Sequence, residues 1–311
     1  MQYLRILNHI SIKLMRRLLQ FLLVIYFVCL LVICIALGES ATQVYPGLRF
    51  SIPQEVADSL AKSTNGQWRK AETRSFDGTL LAGWLFTPEH ANGHAVIALH
   101  GVGDTRRGVL GLAQMLMRHG YSVLTPDSRG HGISEGNFIT YGVLERRDCK
   151  AWVQWLDATV HPKSIYGLGE SMGAAILIQS LPEEPRIKAA VVEAPFHTFE
   201  EIGYERVRQA GLGPFIPWPM LEPSFLYARL RRGVNLKLAS PSAALQLTKT
   251  PVLFIVGTAD TNVANHHSRD LHAESKDNSE LWAIPGVGHV QAFSSNPQEF
   301  EKRVVDWFAR H

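Results

Sequence analysis

Residues 164–178 read Ser-Ile-Tyr-Gly-Leu-Gly-Glu-Ser-Met-Gly-Ala-Ala-Ile-Leu-Ile, and this stretch decides the fold. The apolar run that ends at Leu168 predicts a buried strand, and the small apolar residues after Gly173 predict a helix. Gly169 and Gly173 flank Ser171, where a larger side chain would collide with neighbouring backbone in a tight strand-to-helix turn. The pattern therefore predicts a serine hydroxyl that projects from the end of a strand and faces the amide groups of a helix N-terminus.

Short apolar runs alternate with longer helical patterns on both sides of this turn. The predicted strands are 95–100, 121–126, 164–169, 189–194, 252–256 and 281–284. The predicted helices are 111–119, 143–155, 172–180, 264–274 and 297–310. Such alternation is typical of βαβ units and predicts the α/β class, with a mostly parallel central sheet flanked by helices. Before it, the Asp77-Gly78 turn predicts an antiparallel hairpin within 72–88.

A lid insertion is predicted at 197–249, where the alternation stops. Closely spaced prolines within 211–220 forbid a continuous helix there. The side chains of Phe215, Trp218 and Met220 offer apolar surface, so we expect them to bind substrate. The alternative is a structural cap that only completes the core.

The glycine-flanked serine pattern occurs a second time, at 132–136 around Ser134. No apolar strand ends at Gly132, and the residues after 136 do not begin a helix of small residues. We therefore interpret Ser134 as a loop residue.

A serine that attacks a carbonyl needs two donors for the negative charge that develops on the carbonyl oxygen. The amide of Met172, at the start of the helix, is one candidate. The second candidate is the amide of Val102, in the glycine-rich loop that follows the strand ending at Leu99. We expect His100, in the same loop, to contact the substrate.

The partners of Ser171 are expected at the carboxyl ends of later strands, where ligands bind in open α/β sheets. Asp260 follows the predicted strand 252–256 and is the candidate acid, while Glu193 stays open as an alternative acid. His289 follows a later strand through a flexible Gly-Val-Gly loop, which suits a base that moves protons between the serine and the leaving group.

Several motifs together resemble the α/β-hydrolase superfamily over residues 70–310. They are His-Gly at 100–101, Asp-Ser-Arg-Gly-His-Gly at 127–132, the serine turn, Gly-Thr-Ala-Asp at 257–260 and Gly-Val-Gly-His at 286–289. The chain is most similar to membrane-tethered serine hydrolases related to prolyl oligopeptidases and small esterases. The resemblance implies Ser171, Asp260 and His289 as nucleophile, acid and base, in that chain order. Ala264 departs from the family pattern, because many relatives place proline there, which affects turn rigidity more than chemistry.

The N-terminal segment is apolar from Leu18 to Leu37 except for Gln20, long enough for a helix that crosses a bilayer. Basic residues precede this run and none directly follows it, which predicts a cytoplasmic N-terminus and an extracytoplasmic catalytic domain. The alternative is a signal peptide cleaved near Gly38, which would leave a secreted protein. The predicted segments are a cytoplasmic flank at 1–17, a transmembrane anchor at 18–38, a stalk with a short helix at 39–70, and the catalytic domain at 71–311.

Composition excludes several other classes of function. The net charge is +3, but four basic residues stand before the first acidic residue, Glu39, so the remaining chain is close to neutral and no nucleic-acid partner is expected. Two of the three cysteines lie in the apolar N-terminal run, which leaves Cys149 without an intradomain disulfide partner. His266, His267 and His272 lack the i, i+4 spacing of a helical metal site, and we expect neither a metal nor a cofactor.

These residues predict a serine hydrolase that cleaves a carboxylic ester or thioester through an acyl-enzyme on Ser171. We expect a small-molecule or lipid-like acyl ester as the substrate. A serine peptidase of the prolyl-oligopeptidase-like type is the first alternative, although residues 39–70 are too few for the additional domain that filters peptides. A non-catalytic binding protein on the same fold is the second alternative, which the intact trio of serine, aspartate and histidine disfavours.

Overall fold

The computed structural model describes residues 2–44, 46–212 and 217–311; the side chains of 2–11, 46, 212 and 217–220 lie outside this description. Eight strands form one sheet in the order β1-β2-β4-β3-β5-β6-β7-β8. The strands are β1 Gly66–Arg74, β2 Leu80–Pro88, β3 His94–Leu99, β4 Ser122–Pro126, β5 Ser164–Glu170, β6 Ile187–Glu193, β7 Val252–Gly257 and β8 Ser279–Ile284. The pairs β1–β2 and β2–β4 are antiparallel, and the other neighbouring pairs are parallel. The predicted α/β class with a mostly parallel sheet is confirmed.

Helices cover both faces of this sheet because its central strands are continuous apolar runs that must be buried on both sides. The helices are α1 Gln2–Thr42, α2 Gln54–Ser63, α3 Leu110–Arg118, α4 Glu145–Val160, α5 Met172–Ser180, α6 Phe199–Val207, α7 Pro217–Arg232, α8 Pro241–Leu245, α9 His266–Glu274, α10 Ala292–Ser295 and α11 Pro297–Arg310. One face packs against α2, α3 and α11, and the opposite face packs against α4, α5, α8 and α9.

The edge strand β1 begins at Gly66, before the predicted start of the catalytic domain at 71. Its side chains are mostly exposed or half-buried, so the strand carries little of the apolar pattern by which a buried strand is recognised. The hairpin predicted around Asp77-Gly78 is present, and Gly78 adopts a φ of 83° in its turn. The division of the chain into segments stays a prediction.

A cap formed mainly by α6, α7 and the segment 234–239 covers the carboxyl ends of the strands. Its own apolar cluster includes Phe199, Ile202 and Phe225. The sequence predicted no continuous helix through 211–220, and α7 begins at Pro217. Prolines are tolerated in the first turn of a helix because the amide hydrogens there have no partner within the helix. The chain then stays helical through Pro223.

The N-terminal helix α1 contains the segment Ile12–Thr42, whose mean hydropathy reaches 3.1. Within the described residues, this helix alone is both long enough and apolar enough to cross a membrane. A signal sequence would meet the same two criteria. The helix continues through residues 39–42, which were predicted to begin a stalk. Directly after it, the amide of Ile139 donates to the carbonyl oxygen of Thr42 at 3.1 Å, and Gln43 forms a bridge with Phe138.

Candidate active site

The turn between β5 and α5 holds Ser171 in a strained conformation, with φ 52° and ψ −113°. Its amide donates to the carbonyl oxygen of Glu193 at 2.8 Å, which ties the turn to the neighbouring strand β6. A Cβ atom on Gly173 would collide with the carbonyl oxygen of Leu99, and one on Gly169 would lie 2.6 Å from the carbonyl oxygen of Gly173. The two glycines are therefore required by the close approach of three backbone segments.

The structure brings Ser171, Asp260 and His289 into one hydrogen-bonded chain. Ser171 Oγ lies 2.9 Å from His289 Nε2, and His289 Nδ1 lies 2.7 Å from Asp260 Oδ2. The carboxylate accepts only, so Nδ1 carries the proton and donates to it. Nε2 is then free to accept the hydroxyl proton of Ser171, which is the arrangement that a nucleophile and its general base require.

The carboxylate of Asp260 is fixed by backbone donors of its own loop. Its Oδ1 accepts from the amides of Asn262 at 2.8 Å and Val263 at 2.9 Å. The side chain is fully buried, whereas the side chain of His289 keeps a fifth of its surface exposed. One oxygen is thus held by backbone while the other orients the imidazole.

Glu193, the alternative acid, lies at the end of β6 and has another partner. Its Oε1 accepts from the amide of Ala292 at 2.9 Å, so the carboxylate that hydrogen-bonds His289 is that of Asp260. Burial raises the pKa of Glu193 to about 7. A carboxyl group with this pKa is partly protonated at neutral pH, which reduces the negative charge beside the histidine.

Val102 and Met172, the two predicted amide donors, both line the space in front of Ser171. His131 Nε2 lies 3.0 Å from the carbonyl oxygen of Val102 and holds the loop in place. His100, predicted to contact substrate, is fully buried beneath this loop. Its Nδ1 donates to the carbonyl oxygen of Gly101 at 2.8 Å, and its Nε2 accepts from the amide of Ser128 at 3.0 Å. Its position therefore differs from the expected one, because both ring nitrogens are used by backbone.

Ser134, in the second copy of the glycine-serine-glycine pattern, is a buried loop residue. Its hydroxyl donates to the carbonyl oxygen of Asp127 at 2.8 Å and accepts from the amide of Ala82 at 2.9 Å. These bonds join the loop at 127–136 to β2. The structure thus gives Ser134 a connecting position away from His289.

A cavity of about 480 Å³ opens in front of Ser171. Most of the described lining residues are aromatic or aliphatic and come from the cap or from loops at the sheet edge; they include Tyr141, Phe196, Phe199, Ile202, Val207 and Phe225. Sequence reasoning missed these residues, although Phe199, Ile202, Val207 and Phe225 lie inside the predicted insertion. Of the residues predicted to bind substrate, Phe215 lies outside the described residues, and so do the side chains of Trp218 and Met220.

One group of side chains has the composition of a metal site. Glu201 of α6 and His266 and His267 of α9 hold their ligand atoms within 4.8 Å of one another. The i, i+4 spacing recognises ligands on one helix, so it does not indicate a cluster whose members lie on two different helices. In the structure His267 Nε2 lies 3.1 Å from Glu205 Oε2, and His267 Nδ1 accepts from the amide of His197, so both ring nitrogens have protein partners. The expectation of no metal stays a prediction.

Comparisons with known proteins agree with this architecture. A family profile described as serine aminopeptidase, S33, matches residues 90–225. An uncharacterised protein of Mycobacterium tuberculosis is 30% identical over 234 residues, which cover 74% of this chain and 73% of the relative. The uncharacterised protein YqkD of Bacillus subtilis is 26% identical over 230 residues, covering 73% and 74%.

Among solved structures, the esterase Pf2001 of Pyrococcus furiosus superimposes with a TM-score of 0.68 and 25% identity. The superposition covers 86% of this chain and 98% of that one. We draw one conclusion from the strand order, the serine turn at the end of β5 and these similarities. The chain belongs to the α/β-hydrolase superfamily.

Proposed function

We propose that the chain is a serine esterase that cleaves carboxylic esters or thioesters through an acyl-enzyme on Ser171. The observation that carries this proposal is the hydrogen-bonded chain from Asp260 through His289 to Ser171, at 2.7 and 2.9 Å. It lies at the bottom of an apolar cavity and in front of the N-terminus of α5, where a developing negative charge is stabilised.

The geometry supports a two-step reaction. Ser171 Oγ attacks the carbonyl carbon while His289 Nε2 takes the hydroxyl proton, and the amides of Val102 and Met172 donate to the tetrahedral oxyanion. Collapse of this intermediate expels the alcohol or thiol, which takes the proton from His289. A water molecule then attacks the acyl-enzyme with His289 again as base, and the acid and free Ser171 are released.

An ester substrate fits the cavity better than the free amino terminus of a peptide does. An aminopeptidase has to pair the substrate ammonium group with a carboxylate, and no Asp or Glu occurs among the cavity-lining residues that the structure describes. Arg206 is the charged residue among them, and its guanidinium donates to Asn262. The similarity to the esterase Pf2001 supports the same preference.

The test uses p-nitrophenyl butyrate and a fluorophosphonate probe on the full chain. Ser171→Ala removes the nucleophile, so kcat should fall by about 10⁴-fold or more and probe labelling should disappear. Ser134→Ala is the matched control, because it removes the serine of the same sequence pattern and should keep labelling. Full activity of Ser171→Ala would refute the proposal. If the wild type cleaved aminoacyl p-nitroanilides faster than esters, the result would favour a peptidase over the proposed esterase.

We also propose that α1 is retained as an anchor, with the N-terminus cytoplasmic and the catalytic domain on the other side. The end of the helix is built into the folded domain, since Leu37 and Ala41 pack against the cap cluster. Cleavage after Gly38 would remove part of this contact. An epitope tag at the N-terminus should therefore remain on the protein that alkaline carbonate fails to extract from membranes, and its loss from active protein would favour a signal peptide.

A further inference from the structure

The cavity in front of Ser171 has one wall that comes from the N-terminal helix. Leu37, Gly38, Ser40 and Ala41, in the last two turns of α1, line the same space as Ser171. Other walls come from α6 and α7 of the cap. The helix that the sequence assigned to the membrane therefore ends inside the substrate site.

The end of α1 is held in this position by close contacts with α7. Gly38 lies so near to Tyr227 that a Cβ atom there would be 2.7 Å from the ring. The carboxylate of Glu39 accepts from Tyr227 Oη at 2.8 Å and pairs with Arg232 Nη2 at 2.6 Å. These bonds, together with the backbone bond at Thr42, make the wall a fixed part of the folded domain.

The two helices α1 and α7, which line the cavity, also carry exposed apolar side chains outside it. Except for Gln20, the side chains of α1 from Leu18 to Ile33 are apolar and mostly exposed. Beside α1, α7 exposes Leu226 and Leu230 by 56% and 78%, one helical turn apart on the same side. Exposed apolar surface of this extent marks a site of contact with a membrane or a partner. Its location on and beside a helix long enough to span the bilayer favours the membrane.

Building on the esterase function proposed above, we propose that the last two turns of α1 form the acyl-binding wall of the active site. The substrate is then a single-chain acyl ester resident in the bilayer, which reaches Ser171 along the end of α1. An acyl chain on this route stays in contact with apolar groups, so it avoids the cost of exposing its methylenes to water. A volume of about 480 Å³ is within the range of sites that hold one small ligand.

The wall is tested with paired substitutions on α1 in the full chain. Ala41 lines the cavity, whereas Ala36 is exposed on the same helix, so Ala41→Phe and Ala36→Phe make the same chemical change on two sides of it. The readout is the ratio of kcat/KM for a dodecanoyl ester to that for an acetyl ester. This ratio should fall by about tenfold or more in Ala41→Phe and stay within about twofold in Ala36→Phe. Equal ratios in the two variants would overturn the proposed wall.

A second variant guards against misfolding of Ala41→Phe. Leu37→Ala removes volume from the same wall, so the preferred acyl chain should become longer by one or a few methylenes. An unchanged chain-length profile in Leu37→Ala would also count against the wall. A wild-type protein that shows no Ser171-dependent hydrolysis would be a different result, because it would refute the esterase function itself.

The route from the bilayer is tested with phosphatidylcholine vesicles that contain the full chain. A fluorogenic ester of medium chain length, which partitions into bilayers but keeps a measurable monomer concentration in water, is placed either in the same vesicles or in separate ones. Hydrolysis measured before the ester equilibrates between vesicles should be at least about tenfold faster when enzyme and ester share a bilayer, because only then does the ester reach the cavity beside α1 without crossing water. Equal rates in the two arrangements would show that substrate arrives from solution and would overturn the route.

Discussion

The floor and the roof of the active-site cavity are built in different ways. The floor is backbone at the edge of a buried sheet, where Ser171 is forced to a φ of 52° and glycines separate chains that nearly touch. The roof consists of side chains from the cap and from the end of α1, packed through rings such as Tyr141 on Phe199, 4.3 Å apart. The comparison teaches that, in the proposed esterase, the chemistry depends on backbone geometry, whereas the choice of substrate depends on replaceable side chains.

The largest effect is expected from the acid on the floor. Asp260→Asn should lower kcat/KM for p-nitrophenyl butyrate by about 10⁴-fold, because an amide in place of the carboxylate favours the wrong tautomer of His289. Glu193→Gln is the control, and it should keep Ser171-dependent hydrolysis since Glu193 bonds Ala292. A severe loss in Glu193→Gln together with an active Asp260→Asn would identify Glu193 as the acid.

Breaking an ion pair should lower the free energy of unfolding by different amounts near the sheet edge and in the cap. In the loop that follows β4, Arg129 is 4% exposed and binds Asp148 through Nε at 2.7 Å and Nη2 at 2.5 Å. Arg129→Met leaves that carboxylate buried without its cation and should lower the free energy of unfolding by about 3–5 kcal/mol.

The matched change in the cap is Lys237→Met, which breaks a half-exposed pair with Glu222 at 2.6 Å. It should cost less than about 1 kcal/mol. Urea unfolding of both variants measures the difference. Similar losses would mean that the cap is as strongly dependent on its ion pairs as the sheet edge.

Glu193, at the floor of the cavity, should make the free energy of unfolding of the protein depend on pH. Burial raises its pKa from 4.5 to about 7, so the folded protein holds a proton that the unfolded chain releases. The contribution of this carboxyl group to the free energy of unfolding is therefore fully present below pH 4.5 and is lost as the pH rises through about 7. The free energy of unfolding changes by an amount on the order of 3 kcal/mol. The free energy of unfolding of the wild type minus that of Glu193→Gln, measured at pH 5 and pH 8, should decrease between these values. A constant difference would contradict the raised pKa.

The smallest difference in stability between the two regions is expected at two glycines. Gly173→Ala places a methyl group against the carbonyl oxygen of Leu99 and should cost about 1–3 kcal/mol with a large loss of activity. Gly203→Ala, inside α6, has Phe225 Cζ 3.7 Å from the new atom and should be neutral or stabilising by up to about 1 kcal/mol. Thermal unfolding of the two variants provides the comparison, and an equal cost would show that the cap is packed as tightly as the serine turn.

The floor could be predicted from the sequence because each of its parts is local. The turn around Ser171 needs glycines at two fixed positions, and Asp260 and His289 directly follow strands whose apolar runs are easily recognised. Parallel strands bring their carboxyl ends to one edge, so three local predictions become a spatial one. Their meeting within hydrogen-bond distance agrees with this expectation, and their catalytic roles remain the proposal tested above.

The roof could not be predicted because its residues meet only in the folded chain. Tyr141 precedes α4 and Phe196 follows β6, yet both line the cavity beside residues of α6 and α7. The end of α1 was assigned to the membrane and to a stalk, because apolar periodicity does not distinguish a lipid contact from a contact with the cap. His100 was expected in the pocket since it lies in the right loop, but hydropathy does not show that backbone groups use both of its ring nitrogens.

The attachment at Glu39, Thr42 and Gln43 has a mechanical consequence. Both side chains and backbone join the described residues at the end of α1 to the rest of the fold. A change in the tilt of this helix is therefore transmitted to the cap and to the loop that contains Phe138. The position of Ser171 relative to the last turn of α1 is determined by these contacts.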